Sequence, residues 1–355
     1  MIRIFGGPTR YVQGPGAIAE MGSLTERLTQ RPLLVVDADV LPFVEAQLAN
    51  AFAGRPSTTL AFRGEVTQPA IDALAAQASA ADCVIGIGGG KGLDAAKGVA
   101  FKLALPFIAV PSIASNDGTT GRSMAIYNDD HVLVAIETIP DSPLLVIADT
   151  ALIANAPARF LRAGIGDAIA KKFEAERAHA DGASNFFGTR PLGIAKAISD
   201  ACYVTLREHG VAAMAAAERH EPDPAFEAVV EANILLAGLG WENGGLSYAH
   251  AVVRGLVKAR GTASAPHGEH VAYATLVQLA IERRDDAFIR DVIGFNRSVG
   301  LPASLAELGM DSPTIDEIAE IARLTTIGPK GGRIIVAEPP EGIAAAIARV
   351  EALAA

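Results

Sequence analysis

Through the first 150 residues, short runs without a polar position alternate with stretches of helical period, and this alternation restricts the fold more than any other feature of the chain. "RPLLVVDAD", "DCVIGIG", "PFIAVPS" and "LLVIADT" are the apolar runs, and "QPAIDALAAQASAA" and "GKGLDAAKGVAFKLA" the helical stretches among them. A strand that is apolar at nearly every position is buried on both faces. Such strands, separated by helices, predict a parallel sheet covered on both sides. "MAIYNDDHVLVAIE" interrupts the series and predicts a hairpin turning at Asn128–Asp129–Asp130. From about Thr150 the texture changes to long Ala- and Leu-rich helical stretches such as "RPLGIAKAISDACYVTLREHG" and "PAFEAVVEANILLAGLG". Pro157 can open a helix, which sets the expected division: an α/β unit over 1–156 and an all-helical unit over 157–355. A site in the cleft between them is the common enzyme plan.

Charge excludes one class of function. The 355 residues carry a net charge of −10 with no basic block, so no phosphate-backbone footprint is on offer and a nucleic-acid partner is not expected. An anionic small molecule stays open, because a pocket can differ in sign from the whole surface. The two cysteines, Cys83 and Cys202, have neither metal-type spacing nor a disulfide framework, and Cys83 reads as a core thiol. The start "MIRIFGGPTRYV" lacks the apolar run of a signal peptide, and no uncharged apolar stretch is long enough to span a bilayer. A cytoplasmic, soluble protein without membrane contact is the expectation.

Several stretches carry candidate chemistry. "GIGGGKGLDAAK" follows a strand; Gly88, Gly89 and Gly90 let backbone amides approach a ligand, and the next helix presents its positive end. This is either a pyrophosphate cradle or a tight strand-to-helix turn. It is neither the dinucleotide fingerprint nor a Walker A loop, since Gly92 follows Lys91 where Ser or Thr would be needed. Asp37 closes the strand "LLVV", where an acid can bind an adenosine ribose and favour NAD over NADP; Asp39 competes for that role. "PSIASNDGTTG" follows another strand and offers Ser112, Ser115 and Asp117, as ligand contacts or as a surface loop. Asp167, His250 and His267 lie in apolar helical settings where acids and imidazoles need partners. One Asp and two His make a catalytic zinc set with an open position; a capping Asp and two ordinary histidines are the alternative. "GDAIAKKFEA" reads as a helix start headed by Gly166 and Asp167, which puts Lys171 on the Asp167 face.

In combination, "RYVQG", "GIGGGKGLDAAK", "VPSIASNDG", "NAPARFLRAGIGDAIAKKFEAE", "VVEANILLAGLGWENGGLSYAHAV" and "HGEHVAYATLVQL" resemble the glycerol dehydrogenases of the iron-containing alcohol dehydrogenase superfamily, over roughly residues 10 to 310. The resemblance implies an N-terminal α/β dinucleotide domain with a parallel sheet and an all-α C-terminal domain, as in dehydroquinate synthase. It implies metal ligation by Asp167, His250 and His267. It implies NAD contacts at Asp37, Gly89, Gly90, Lys91, Asp94, Ser112, Ser115 and Tyr127, and a substrate-hydroxyl contact at Asp117. The activity implied is NAD- and metal-dependent oxidation of a small polyol or hydroxy compound, by a homo-oligomer. Iron-using relatives have a His four residues after the metal Asp, where this chain has Lys171, so zinc is expected, with iron or another divalent ion as the alternative.

Several residues depart from that pattern. A cation about 6 Å from a zinc ion that keeps one net charge is repelled by roughly 3 kcal/mol at an effective dielectric near 20. Lys171 should therefore turn away, lose its proton or share an anion with the metal. Arg254 follows His250 by one turn where glycerol dehydrogenases have Asn; Lys258 follows by two, and Arg122 stands where they carry small apolar residues. "NDG" is closer to the glycerol-1-phosphate dehydrogenases, and the tail "TTIGPKGGRIIV" lacks the "TIHN" of glycerol dehydrogenases. Four converging cations would suit a phosphate or carboxylate, unless Glu174 or Glu242 pairs with them. Lys171 and Arg254 are thus candidate site residues beside Asp117, and a glycerol-1-phosphate or 2-hydroxycarboxylate dehydrogenase is the alternative. A metal-dependent lyase resembling dehydroquinate synthase is the second alternative.

Overall fold

The apolar runs become strands buried along their length. The computed structural model describes residues 2–78, 80–130, 132–328 and 333–355. Its strands are β1 (Arg10–Gly14), β2 (Pro32–Asp37), β3 (Thr58–Phe62), β4 (Cys83–Gly88), β5 (Phe107–Pro111), β6 (Ser123–Tyr127), β7 (Leu133–Thr138) and β8 (Leu145–Asp149). Six of them form one parallel sheet in the order β1-β8-β5-β4-β2-β3. The two edge strands, β1 and β3, are not apolar throughout and gave no continuous run to read. β6 and β7 make the expected hairpin. Asn128 Oδ1 shapes its turn by accepting the Asp130 and Val132 N–H groups at 3.1 and 2.9 Å.

The helices of this half are α1 (Met21–Thr25), α2 (Leu41–Ala51), α3 (Gln68–Ala75), α4 (Gly90–Leu103) and α5 (Thr150–Ala154). Side chains of a strand alternate between faces, and the two faces have separate cores. Leu34, Val36, Ile85 and Ile87 pack with Val44 and Leu48 of α2, whereas Leu33, Val35 and Val84 pack with Ile71 of α3 and Val99 of α4. The crossovers β2-α2-β3 and β3-α3-β4 therefore leave on opposite faces, and the crevice between the C-terminal ends of β2 and β4 is a topological switch point.

The remainder is helical: α6 (Arg159–Ala168), α7 (Lys171–Ala180), α8 (Gly193–Glu218), α9 (Pro224–Glu231), α10 (Ala237–Gly244), α11 (Tyr248–Leu256), α12 (His267–Ile281), α13 (Asp286–Ser298), α14 (Ile315–Thr325) and α15 (Pro340–Ala354). The α3/α4 core runs on into α6, α8 and α9, while α7 and α11 to α15 enclose a second core. A π-helical turn, Ala232–Leu236, joins α9 to α10. It carries the buried Asn233, whose Nδ2 donates to the Ala114 and Leu161 carbonyls at 3.1 and 3.3 Å and so ties the loop after β5 to α6. No helix of the described residues is long and apolar enough to cross a membrane.

Candidate metal and cofactor site

Glycines set the depth of the site. A Cβ on Gly164 would stand 1.9 Å from the Ala114 carbonyl oxygen, and one on Gly166 2.3 Å from that of Gly268. A Cβ on Gly268 would stand 1.7 Å from the Ala163 oxygen. Only without side chains can α6 lie against the β5–β6 loop on one side and the start of α12 on the other. Gly166 and Asp167 accordingly sit near the C-terminal end of α6 and do not head a helix as the sequence suggested. Their glycine signal records close packing. The chain bends at Ile169–Ala170 and continues as α7 from Lys171.

This packing brings Asp167, His250 and His267 together, with one donor atom from each within 4.8 Å of the others. Asp167 is buried at the end of α6. His250, on α11, puts Nε2 3.6 Å from Asp167 Oδ1, and His267, at the start of α12, puts its Nε2 at 3.9 Å. The rings of His250 and His267 are 5.4 Å apart. Donors about 2 Å from a tetrahedral ion stand roughly 3.3 Å from one another, so small side-chain adjustments close the set. The His267 ring is half exposed and leaves an open side.

Glu174, on α7 two turns beyond Asp167, was missed as a site residue by the sequence reading. Buried, it accepts the Ser247 and His250 backbone N–H groups at 2.9 and 3.1 Å, and its Oε2 lies 2.8 Å from His250 Nδ1. A carboxylate there fixes the proton on Nδ1 and leaves the Nε2 lone pair facing Asp167. Burial would raise the Glu174 carboxyl, but His250 and Lys171 hold it below its ordinary value.

Lys171 takes none of the three escapes; it pairs with acids of the site, as the alternative reading with Glu174 allowed, but chiefly with Asp117 and Asp167. It is fully buried, and Nζ donates to Asp167 Oδ1 at 2.9 Å and lies 2.7 Å from Asp117 Oδ2, an ion pair off the hydrogen-bonding angle. Burial alone would lower its pKa; Asp117, Asp167 and Glu174 raise it, so the ammonium stays charged. Burial and Asp167 push the Asp117 carboxyl up, against Lys171, while Asp167 is held well below the carboxylate range because Lys171 and the two histidines outweigh its own burial. Three carboxyl groups gather round one ammonium, and an acid-rich cluster of this kind suits a divalent cation. Asp117 reaches this cluster because its N–H donates to Asp167 Oδ2 at 3.3 Å and its carbonyl accepts Trp241 Nε1 at 3.2 Å.

The loop carrying Asp117 is held from beneath by Lys97, also missed. Its buried Nζ donates to the Gly118 and Ser123 carbonyls at 2.6 and 3.0 Å, and burial draws its pKa down. A lysine within a helical stretch gives no sequence signal for that role.

Asp37 and the glycine loop meet at the switch-point crevice. A Cβ on Gly88 would stand 2.7 Å from Asp37 Cβ, and one on Gly92 3.3 Å. Asp37 Oδ1 accepts the Asp39 N–H at 2.9 Å, whereas the Asp39 carboxylate turns outward to Arg63 at 2.7 Å. Of the two acids, Asp37 lines the crevice. α4 starts at Gly90 with Gly89 as N-cap and no side-chain cap, leaving its first N–H groups open to an anion. The opposite wall is the β5–β6 loop. Ser112 N–H donates to the Gly88 carbonyl at 2.9 Å, Ser115 Oγ lies 3.5 Å from Asn116 Nδ2, and a Cβ on Gly90 would stand 3.0 Å from that same nitrogen. Lys91 is turned to Glu65 at 2.9 Å, and Asp94 accepts the Ala125 N–H at 2.9 Å beside Lys97. Tyr127 is half-buried, and its N–H donates to the Val66 carbonyl at 2.8 Å.

The four cations do not converge. Arg122 donates to Glu242 at 3.1 Å and stacks 4.0 Å over the Phe187 ring. Lys258 is exposed. Lys171 has its own carboxylates, and Arg254, in the last turn of α11, donates to the Thr325 carbonyl at 3.4 Å. Within the tail "TTIGPKGGRIIV", Pro329, Lys330, Gly331 and Gly332 lie outside the described residues.

Comparison with known proteins gives a consistent picture. Residues 8–150 match the family model of the iron-containing alcohol dehydrogenases. The chain is 39% identical over 329 residues to the glycolaldehyde reductase of Halobacterium salinarum, covering 91% of this chain and 90% of that one. It is 41% identical over 312 residues to a glycerol dehydrogenase of Escherichia coli, covering 87% and 85%. Among solved structures, the glycerol dehydrogenase of Schizosaccharomyces pombe superposes with a TM-score of 0.94 at 33% identity, covering 99% of this chain and 91% of that one.

Proposed function

The chain belongs to the iron-containing alcohol dehydrogenase family and is glycerol dehydrogenase-like, and from that premise we propose an NAD-linked, zinc-dependent enzyme that interconverts a small vicinal hydroxy compound and its carbonyl. The observation that carries this reading is the cluster of Asp167, His250 and His267. Glycerol and glycolaldehyde, named in its relatives, share oxygens on adjacent carbons, which defines the substrate class. On this reading residues 1–156 hold the cofactor and 157–355 the metal and substrate. The working form is a cytoplasmic homo-oligomer, and the exposed apolar side chains Leu133, Val134 and Ile136 of β7 support the second of those terms.

Asp167, His250 and His267 would hold the ion. When bound, it supplies Lewis-acid polarisation of the substrate oxygen and NAD supplies the hydride acceptor, so that CH–OH becomes C=O with release of one proton. Glu174 keeps His250 in the ligating tautomer. Lys171 balances the charge of Asp117 and Asp167, and Asp117 accepts a hydrogen bond from a substrate hydroxyl. Asp37 receives the adenosine ribose and disfavours a 2′-phosphate; Gly89, Gly90 and the first turn of α4 receive the pyrophosphate. Ser112 and Ser115 border the crevice, and Lys91, Asp94 and Tyr127 support the cofactor from the α4 and β6 side. A set of one carboxylate and two imidazoles, with Lys171 where iron-type relatives have His, favours zinc over iron.

The test is reduction of NAD and of NADP at 340 nm with glycerol, 1,2-propanediol and ethanol. Turnover of the vicinal diols with NAD, above that of ethanol, is expected. Net NADH formation also separates this reading from a lyase of the dehydroquinate synthase type, which forms none. Absence of turnover in zinc-loaded protein with any of these alcohols would refute it.

A further inference from the structure

Among the described residues Arg254 is a partly buried cation of α11 with no acid as partner, whereas Lys258, also unpaired, is exposed to solvent. Lys171 and Arg122 have carboxylate partners. The Arg254 guanidinium is half-buried, and its hydrogen bond among the described residues is a long one, from Nη1 to the Thr325 carbonyl at 3.4 Å. No carboxylate of the described residues lies within ion-pair distance, and burial alone draws its pKa down. The chain after α14 lies close upon it, since a Cβ on Gly328 would stand 3.1 Å from Nη1. A desolvated charge without a counter-ion is unfavourable. The C-terminal ends of α11 and α14 offer partial compensation, since each helix end carries about half a negative charge. They leave most of the five guanidinium N–H donors unused.

Arg254 is on α11, four residues after His250. Positions four apart share a helix face and are about 6 Å apart along the axis. Residue 254 therefore stands one helical turn from His250 on the same side of α11. We propose that Arg254 is an anion-recognising residue of this site, and that its preferred substrate carries a carboxylate or phosphate on the carbon next to the reacting hydroxyl or carbonyl. This rests on the proposed metal and redox roles of the cleft and narrows their substrate class. A planar fork suits either oxyanion, because both accept two parallel N–H bonds.

Three compounds of one skeleton separate the possibilities: dihydroxyacetone, dihydroxyacetone phosphate and hydroxypyruvate. NADH-linked reduction of each is measured with wild type, Arg254→Ala and Arg254→Lys. Wild type should reduce one of the two anions at least about 10-fold more efficiently than dihydroxyacetone, and which of the two identifies phosphate or carboxylate. Arg254→Ala should lower kcat/KM for that anion about 10- to 100-fold, chiefly through KM, and several-fold less for dihydroxyacetone. Arg254→Lys should recover part of the loss. A second readout needs no catalysis: calorimetric binding of inorganic phosphate and of acetate to chelator-treated protein, expected with wild type and lost in Arg254→Ala. Equal losses on all three compounds, a wild-type preference for dihydroxyacetone, or loss only of melting temperature would overturn the proposal and make Arg254 a helix-end cation. If none of the three is reduced while glycerol is oxidised, the anion proposal fails; if glycerol is not oxidised either, the redox reading itself fails. The phosphate and acetate titrations then decide Arg254 alone, and binding that survives Arg254→Ala, or no binding by wild type, counts against it.

Discussion

Glu174→Gln removes one charge and almost no volume, and it isolates the link between a buried carboxylate and a metal ligand. In the wild type, Glu174 accepts three hydrogen bonds, two from backbone N–H groups and one at 2.8 Å from His250 Nδ1. A glutamine oxygen can keep the two backbone bonds. Its NH₂ group then faces Nδ1 and must donate to it, which moves the imidazole proton to Nε2. That atom is the one facing Asp167 at 3.6 Å, so the lone pair needed for ligation is lost. A charge-assisted bond of this kind is worth about 1.5–3 kcal/mol, and loss of such a partner lowers metal affinity about 10- to 100-fold. Zinc affinity is measured by competition with a fluorescent chelator, alongside NAD affinity and melting temperature. The variant should bind zinc about 10- to 100-fold more weakly and NAD unchanged. Unaltered zinc affinity in a folded variant would refute the reasoning, because Glu174 would then not govern the His250 tautomer.

Other perturbations read different parts of the account. His267→Ala should abolish turnover while NAD binding, followed by fluorescence, stays near wild type; residual turnover above a few per cent would contradict the ligand assignment. Asp37→Ser should narrow the preference for NAD over NADP in kcat/KM, since the carboxylate that repels a 2′-phosphate is gone; a wild type that favours NADP defeats that role. Lys171→Met leaves Asp117 and Asp167 facing each other in a buried site and should destabilise chelator-treated protein by about 3–5 kcal/mol in urea unfolding, with part of the loss restored by zinc. Gly268→Ala places a methyl 1.7 Å from the Ala163 carbonyl oxygen, so backbone must move. A loss of about 1–3 kcal/mol or more is expected from the overpacking alone, and a neutral effect would show that α6 and α12 are not in the contact described.

The parts legible in the sequence were those written as pattern. β2, β4, β5 and β8 are apolar at almost every position because both faces are covered, and they could be read directly. The edge strands β1 and β3 could not, since an edge needs no such run. The hairpin was readable from Asn128, whose side chain builds the turn. Gly166 misled as a helix-start signal because glycine marks close backbone approach as well as chain ends, and only packing tells which applies. The charge balance was the least visible. Lys171 was expected to turn away, lose its proton or share an anion unless an acid such as Glu174 paired with it; acids of the site do pair with it, chiefly Asp117 from the loop after β5 and Asp167. Glu174 was read only as a possible partner for the cations, and its burial follows from the way α7 packs on α8 and α10.

The central claim is that a divalent ion held by Asp167, His250 and His267 is required for an NAD-linked oxidation. The direct measurement is NADH formation from glycerol by chelator-stripped protein as zinc is added back, with bound metal counted by mass spectrometry. The account predicts negligible turnover without metal and recovery that saturates at about one zinc per chain, absent in Asp167→Ala. Full turnover in stripped protein, or recovery by zinc in Asp167→Ala equal to wild type, would contradict it.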